Sequence, residues 1–382
     1  MGRRLNVLFY ESSSGFGGSA NALANLIRHL DPIKYNPFIA VVRMGFQIQK
    51  IEGTKIFQVA GCDEPAQMSN LSFLKFFICR IFLNALKISR IIWSHKIDIV
   101  HVNTNVMLGL PAIIAAKVAR IPCVCHIRDT RCLIRREQYF SRWVTHFVII
   151  NSRAFDIYKK DIPKTKLKLI HDGIDLLDFA HVQKNQLRRE LRIGQDPLVG
   201  LVGRIIAGKG QKEFILSAKE VLKKKHDPIF LIVGDAKGED GVYYREVVES
   251  VHENKLEDKM ILTGWRNDIK EIINDFDILV QGTTTFPEGF GLTCIEAMAL
   301  SKPVIATRVP GPADIVVDGQ TGFLVPPGDV KAMADKIVYL LDHPDVAKKM
   351  GEAGRERAES VFNIKHTVRQ IESIYEELLN GK

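Results

Sequence analysis

Leu198-Val199-Gly200-Leu201-Val202-Gly203-Arg204-Ile205-Ile206-Ala207-Gly208-Lys209-Gly210 carries the order of residues that decides the fold. An apolar, β-branched run ends on a glycine, a short loop holds two cations among further glycines, and a helical pattern, Gln211–Lys223, takes over. Strand, glycine loop and helix in that order form a βα unit of a parallel sheet. The loop also satisfies G-x-x-x-x-G-K, a phosphate-cradling pattern, but the next position, where Ser or Thr would hold Mg²⁺, is Gly210. What remains is Arg204 and Lys209 beside a helix N-terminus. They can neutralise a diphosphate without metal through charge-assisted hydrogen bonds, or they are two solvated surface charges.

Working outward, the same alternation runs through most of the 382 residues. In the first half the candidate strands are Leu5–Tyr10, Asn36–Arg43, Asp98–Asn103, Cys123–Ile127, Thr145–Asn151 and Leu167–His171. In the second they are Leu198–Arg204, Ile229–Asp235, Met260–Gly264, Asp277–Gly282 and Pro303–Thr307, with helices such as Gln211–Lys223 and Ile269–Phe276 between them. The length exceeds one ordinary core, so two doubly wound α/β domains are expected. The polar stretch Asp175–Pro197, with its basic run Lys184–Arg192, breaks the alternation and marks the boundary. That places an N-terminal domain at 1–178 and a C-terminal one at 179–363. The helical pattern Ile364–Leu379 lies at the wrong end of the chain to extend the second sheet, and 364–382 is expected to rejoin the first domain.

The net charge of +9 conceals an asymmetry. Residues 1–190 hold 28 Lys/Arg against 14 Asp/Glu, and residues 191–382 hold 25 against 30. The first half should therefore face something anionic, such as a membrane surface or a phosphorylated acceptor. Nucleic acid is disfavoured, because no aromatic platform or binding motif accompanies the charge. Six cysteines (Cys62, Cys79, Cys123, Cys125, Cys132, Cys294) include no C-x-x-C pair and read as reduced thiols, with no metal site. The apolar run Leu5–Tyr10 is too short for a secretory signal, so a cytoplasmic location is expected.

In open α/β sheets ligands bind outside the carboxyl ends of the strands, so the loops there are where chemistry belongs. After the first strand comes Ser12-Ser13-Ser14-Gly15-Phe16-Gly17-Gly18-Ser19, whose Gly17 and Gly18 would let backbone N–H groups approach an anion. It is not a dinucleotide fingerprint, because Ala20 stands at the third glycine position and the second strand closes on Arg43. A tight turn would explain it equally. His126 closes the run Cys123–Ile127 and is followed by Arg128, Arg131, Arg135, Arg136 and Arg142. It is either a structural histidine or a ligand contact, with Arg128 and Arg131 as acceptor-side candidates. The most specific segment is Pro287-Glu288-Gly289-Phe290-Gly291-Leu292-Thr293-Cys294-Ile295-Glu296. Its glycines place Glu288 in a loop and Glu296 in the first turn of a helix, so that both can meet one ligand over the helix N-terminus. Thr293-x-x-Glu296 is alternatively a capping box that needs no ligand. Thr307–Ile315 makes a rigid turn over the same crevice, whereas Asp275-Phe276-Asp277 straddles a helix end and a strand, the wrong setting for a metal-binding D-x-D.

One helix bears on location. Leu71–Trp93 is apolar, yet Lys75, Arg80, Lys87 and Arg90 spread over only about 140° of its circumference at about 100° per residue, with no acid among them. It reads as a basic amphipathic helix for an anionic membrane, or as a helix packed on the first sheet.

With these residues in view, the chain resembles the family-4 retaining glycosyltransferases of the GT-B type, over nearly its whole length. Glu288 and Glu296 occupy the family's E-x7-E, Gly203-Arg204 and Lys209-Gly210 its G-R-x-x-x-x-K-G, and His126 and Gly17-Gly18 its first-domain positions. His171-Asp172-Gly173-Ile174-Asp175 departs from P-N-G-I-D at two positions, and Gly311-Pro312-Ala313-Asp314 departs from G-G-x-x-E at Pro312 and Asp314. The resemblance implies two Rossmann-like domains facing each other across a cleft, and metal-independent transfer from a UDP-, GDP- or ADP-sugar to a glycan, lipid-linked or other hydroxyl acceptor, without cofactor. Arg204 and Lys209 would stabilise the leaving diphosphate. Glu296 would bind the ribose and Glu288 the donor sugar, with Gly203, Gly289, Phe290, Gly291 and Leu292 lining the donor site and His126 contacting the sugar. Retention would follow front-face attack. A nucleotide-sugar epimerase or hydrolase of the same fold, or a P-loop-like NTPase, are the competing readings.

Overall fold

The computed structural model describes residues 3–12, 17–43, 49, 51–60, 77–224, 226–235, 241–285 and 288–380. The chain forms two compact units, Met1–Gly173 with Ile364–Lys382, and Ile174–Asn363. Each is built on one parallel sheet.

In the first unit the strands are β1 (Leu5–Glu11), β2 (Tyr35–Val41), β3 (Lys55–Gln58), β4 (Ile99–Val102), β5 (Cys123–Ile127), β6 (His146–Ile149) and β7 (Leu167–Leu169), in spatial order β3-β2-β1-β4-β5-β6-β7. Every pairing is parallel. A strand covered on both faces buries successive residues in two different cores, so the sequence reads as an unbroken apolar run. Val7 and Phe9 pack with α1 (Gly18–His29) and the C-terminal helix (Ile364–Asn380) through Leu23, Ile27, Ile371 and Tyr375. Leu8 and Tyr10 pack on the other face with α2 (Leu83–Ser94), α3 (Leu110–Ala119) and α5 (Ser152–Tyr158), α4 (Arg135–Phe140) lying between the last two in sequence.

The second unit has β8 (Leu198–Val202), β9 (Ile229–Val233), β10 (Met260–Gly264), β11 (Ile278–Gln281), β12 (Val304–Thr307) and β13 (Gly322–Val325), in order β10-β9-β8-β11-β12-β13 and again parallel. Its helices are α6 (Gln186–Glu190), α7 (Gln211–Leu222), α8 (Gly241–Glu253), α9 (Ile269–Asp275), α10 (Leu292–Ala299), α11 (Pro312–Ile315), α12 (Val330–Asp342) and α13 (Pro344–Val361). In both sheets the order reverses beside the first strand, between β1 and β4 and between β8 and β11. That reversal opens a crevice at the carboxyl edge.

Two strands escape sequence reading. Both β3 and β13 are four-residue edge strands, one with exposed ends and one beginning on Gly322. The D-x-D segment lies at the amino edge of the second sheet, away from the crevice. Asp275 accepts from the N–H groups of Asn185 (2.5 Å) and Leu187 (2.8 Å) at the start of α6, and Asp277 from Leu198 N–H and Arg188, both 2.8 Å.

The C-terminal helix is fastened where the chain leaves the first unit. Gly173 lies against it so closely that a Cβ would sit 2.6 Å from Ile364 Cα, and Thr367 Oγ1 donates to the His171 carbonyl at 2.9 Å. Gly173→Ala should therefore lower unfolding stability by about 1–3 kcal/mol, the ordinary cost of overpacking. Urea titration of the variant checks this.

Candidate active site

The loops after β8 and β11 meet because two glycines let them. Gly210 caps α7 at φ +85°, and a Cβ there would lie 1.8 Å from the Gly282 carbonyl oxygen. The hydroxyl a P-loop requires at this position is therefore excluded by backbone geometry. Thr284 N–H donates to the Gly208 carbonyl at 2.8 Å, and buried Thr307 Oγ1 donates to the Thr283 carbonyl at 2.5 Å. These bonds tie the loops after β8, β11 and β12 into one rim.

On that rim Lys209 Nζ donates to Glu288 Oε2 at 2.5 Å, with both side chains largely buried. The same oxygen accepts from Gln281 Nε2 at 2.9 Å and from Thr283 Oγ1 at 3.2 Å. Gln281 and Thr283 are site residues that sequence reading missed. Their signal was a glutamine closing an otherwise apolar strand. Arg204 is exposed beside this cluster in sequence, and its carbonyl accepts from buried Gln211 Nε2 at 3.0 Å.

α10 begins at Leu292 behind Gly291, which adopts φ +103°, and no side chain caps it. Two expectations are corrected here. Glu296 is the fifth residue of the helix and so lies beyond its first turn, and Thr293 is inside the helix, so the capping box does not form. Phe290 is buried, and Gly289 and Leu292 are partly so. Phe290 also packs its backbone on Gly311, whose φ of +87° begins the turn into α11. Pro312 takes the first turn of α11, where a missing N–H costs nothing, so that departure from the family pattern leaves the turn intact. Burial pushes the Glu296 carboxyl up to about 7, with Lys270 a small opposing influence.

At the carboxyl edge of the first sheet the structure assembles a second polar cluster. Ser13–Phe16 lie outside the described residues, while Gly17 caps α1 at φ +105° ahead of Gly18. Glu11, fully buried at the end of β1, accepts from Asn103 Nδ2, which also reaches Ser19 Oγ at 3.1 Å. Arg128 Nε donates to Asn103 Oδ1 at 2.9 Å, and its Nη1 pairs with Asp172. Arg131 pairs with buried Glu137 at 2.6 Å. Both arginines offered as acceptor contacts are thus held by carboxylates of their own unit, and Asp172, where the family pattern has Asn, supplies one of them. His126 is 1% exposed on β5. Its Nδ1 lies 3.3 Å from His101 Nε2, and its Nε2 has no hydrogen-bond partner among the described residues. Burial, then Arg128, holds both histidines well below their usual range. Cys123, Cys125 and Cys294 are buried free thiols that burial pushes up, Cys123 to about 12, and Cys132 is exposed.

Two family models match the chain: "Glycosyltransferase Family 4" over residues 16–177 and "Glycosyl transferases group 1" over 183–357. The lipopolysaccharide core biosynthesis mannosyltransferase LpsB of Rhizobium meliloti is 30% identical over 288 residues, 73% of this chain and 79% of that protein. The chain belongs to the family-4 glycosyltransferases. The capsular polysaccharide biosynthesis glycosyltransferase CapM of Staphylococcus aureus is 34% identical over 210 residues, which span about half of each protein, 54% of this chain and 53% of CapM. HepE of Anabaena, solved in complex with UDP, shares the fold at a TM-score of 0.81 and 20% identity, covering 98% of this chain and 100% of its own.

The Glu296 carboxyl gives a pH prediction. Its folded pKa of about 7 exceeds the ordinary 4.5, so between these values the folded state holds a proton that the unfolded chain has released. Stability is therefore lost as pH rises through this window and levels off above it. Glu296→Gln removes the loss. Its melting temperature should exceed that of the parent increasingly from pH 5 to 8, by an advantage on the order of 2 kcal/mol after allowance for solvent screening. A difference independent of pH in thermal unfolding would contradict the assignment.

Proposed function

We propose that this glycosyltransferase moves a sugar, with retention and without metal, from a nucleoside-diphosphate sugar to a hydroxyl of a cell-envelope glycan or lipid-linked acceptor. The observation that carries this reading is the Lys209–Glu288 pair, 2.5 Å apart on the rim where the second sheet reverses order, ahead of a helix N-terminus that no side chain caps. Lysine ammonium and exposed Arg204 suit the leaving diphosphate, the place where negative charge grows in the transition state. Glu288 takes its three described bonds on Oε2, which leaves Oε1 to accept from a hydroxyl of the donor sugar. Glu296, poised near neutrality, accepts from ribose hydroxyls, and such bonds favour its charged form. In the front-face reaction the anomeric carbon–phosphate oxygen bond breaks as the acceptor oxygen bonds the same face. The acceptor's proton passes to the departing phosphate. The UDP bound by HepE makes UDP-sugars the first donors to test, with GDP- and ADP-sugars next.

The envelope setting rests on CapM and LpsB, whose names place them in capsular polysaccharide and lipopolysaccharide core synthesis, and on α2. That helix buries Ala85, Ile88, Ile91 and Ile92, as a helix packed on the sheet must. Its outer side exposes Leu83 (60%), Leu86 and Trp93 (60%) beside Lys87 and Arg90, and the π-helical segment Phe77–Phe82 that leads into it adds exposed Arg80 and Phe82. Residues 71–76, with Lys75, lie outside the described residues. Packing and membrane contact are therefore compatible on opposite sides of one helix. Among the described residues no helix is long and apolar enough to cross a membrane.

Two outcomes follow. Lys209→Ala should reduce kcat/KM at least about 100-fold, on the scale of losing an electrostatic donor to the transition state, and Glu296→Ala should raise the donor KM about tenfold or more, the loss of hydrogen bonds to the ribose, while the parent keeps full activity in EDTA. Loss of activity in EDTA, or sugar release that needs no acceptor, would replace this reading with a metal-dependent or hydrolytic one. In flotation assays the protein should rise with anionic vesicles and not with neutral ones, and an Arg80/Lys87/Arg90→Gln variant should stay behind. Equal flotation of variant and parent would remove the membrane from the account.

A further inference from the structure

The C-terminal helix returns across the first sheet and, besides Thr367, brings a buried tyrosine hydroxyl to its interior. Tyr375, fully buried, places its hydroxyl 2.6 Å from His101 Nδ1, and His101 Nε2 lies 3.3 Å from His126 Nδ1. All three side chains are buried and belong to one unit, and the series ends at His126 Nε2, a buried nitrogen with no partner among the described residues. Neither imidazole ring is cationic in such surroundings, because burial and the nearby Arg128 disfavour the charge. Each ring then carries a single N–H, and the hydrogen bonds decide which nitrogen holds it.

A buried hydroxyl hydrogen needs an acceptor, and His101 Nδ1 is the one the structure gives Tyr375. With Nδ1 accepting, the proton of His101 sits on Nε2 and points to His126 Nδ1. That nitrogen accepts in turn, so the proton of His126 is left on Nε2. The reverse order would strand the tyrosine hydrogen in the core. We infer that Tyr375 and His101 are positioning residues that fix His126 as the Nε2–H tautomer, a neutral hydrogen-bond donor aimed at an oxygen of a carbohydrate ligand. His126 then contacts its ligand as a donor and takes up no proton during the reaction. The ligand class rests on the glycosyl-transfer reading above, whereas the tautomer does not.

The test separates the two. In protein labelled with ¹⁵N-histidine and free of ligand, long-range ¹H–¹⁵N correlation spectra distinguish the tautomers. Both His101 and His126 should appear as Nε2–H forms in the parent. In Tyr375→Phe, His101 should convert to the Nδ1–H form or a mixture, and His126 should follow. Transfer by Tyr375→Phe should fall roughly tenfold in kcat, the size of a misdirected hydrogen bond, with the donor KM nearly unchanged. An Nδ1–H form of His126 in the parent, or tautomers unaltered in Tyr375→Phe, would overturn the inference even if the enzyme proves an active glycosyltransferase. Correct tautomers in a chain that transfers no sugar would instead overturn the functional reading alone.

Discussion

Lysine ammonium and glutamate carboxylate meet at 2.5 Å on the rim of the second sheet, where Gly210 lets two backbones come together in a space that a Cβ would fill, 1.8 Å from the Gly282 carbonyl oxygen. That constraint orders the rest of the unit. β8 and β11 are neighbours at the reversal of strand order, so the loops that follow them rise side by side. The glycines close the gap, and the Thr284 and Thr307 bonds hold the loops there. An ion pair so placed is poor evidence of a stabilising device, because desolvating two charges costs about what their attraction returns. Three donors converging on Oε2 fix the Glu288 carboxylate in one orientation, and the proposed donor sugar would meet its other oxygen.

The first unit solves a similar problem with different residues. Its carboxyl edge holds Glu11, Asn103, Arg128 and Asp172 in mutual hydrogen bonds, with His126 beside them on a histidine–tyrosine series. Burying so many polar groups is costly unless each is paired. Among the described residues two nitrogens of this set have no partner, Arg128 Nη2 and His126 Nε2. The inferred ligand contact uses the second of these, His126 Nε2.

The fold was legible in the sequence wherever a strand is covered on both faces. Leu198–Val202 and, within β1, Val7–Tyr10 are unbroken apolar runs for that reason, and glycine loops follow each. The edge strands β3 and β13 were not legible, because β3 is four residues with exposed ends and β13, though buried, is four residues that begin on a glycine, too short a run to see. The site was legible in its residue types and not in its pairings. Lys209 and Glu288 stand 79 residues apart, and their contact depends on a glycine–glycine approach that no local pattern encodes. Arg128 and Arg131 looked like free cations because Asp172 lies 44 residues from Arg128, and Glu137 directly follows Arg135 and Arg136, which mask it as the partner of Arg131. Glu296 was misplaced by two residues because Gly291, rather than Thr293, caps its helix.

The central claim is that a metal-free cation pair on this rim grips a nucleoside diphosphate, and calorimetric titration of UDP into the parent protein and Lys209→Ala, both in EDTA, tests it most directly. The account predicts binding by the parent without divalent metal and about a tenfold or greater loss in the variant, the worth of one charge-assisted hydrogen bond. Binding that requires Mg²⁺, or that Lys209→Ala leaves unchanged, would contradict it.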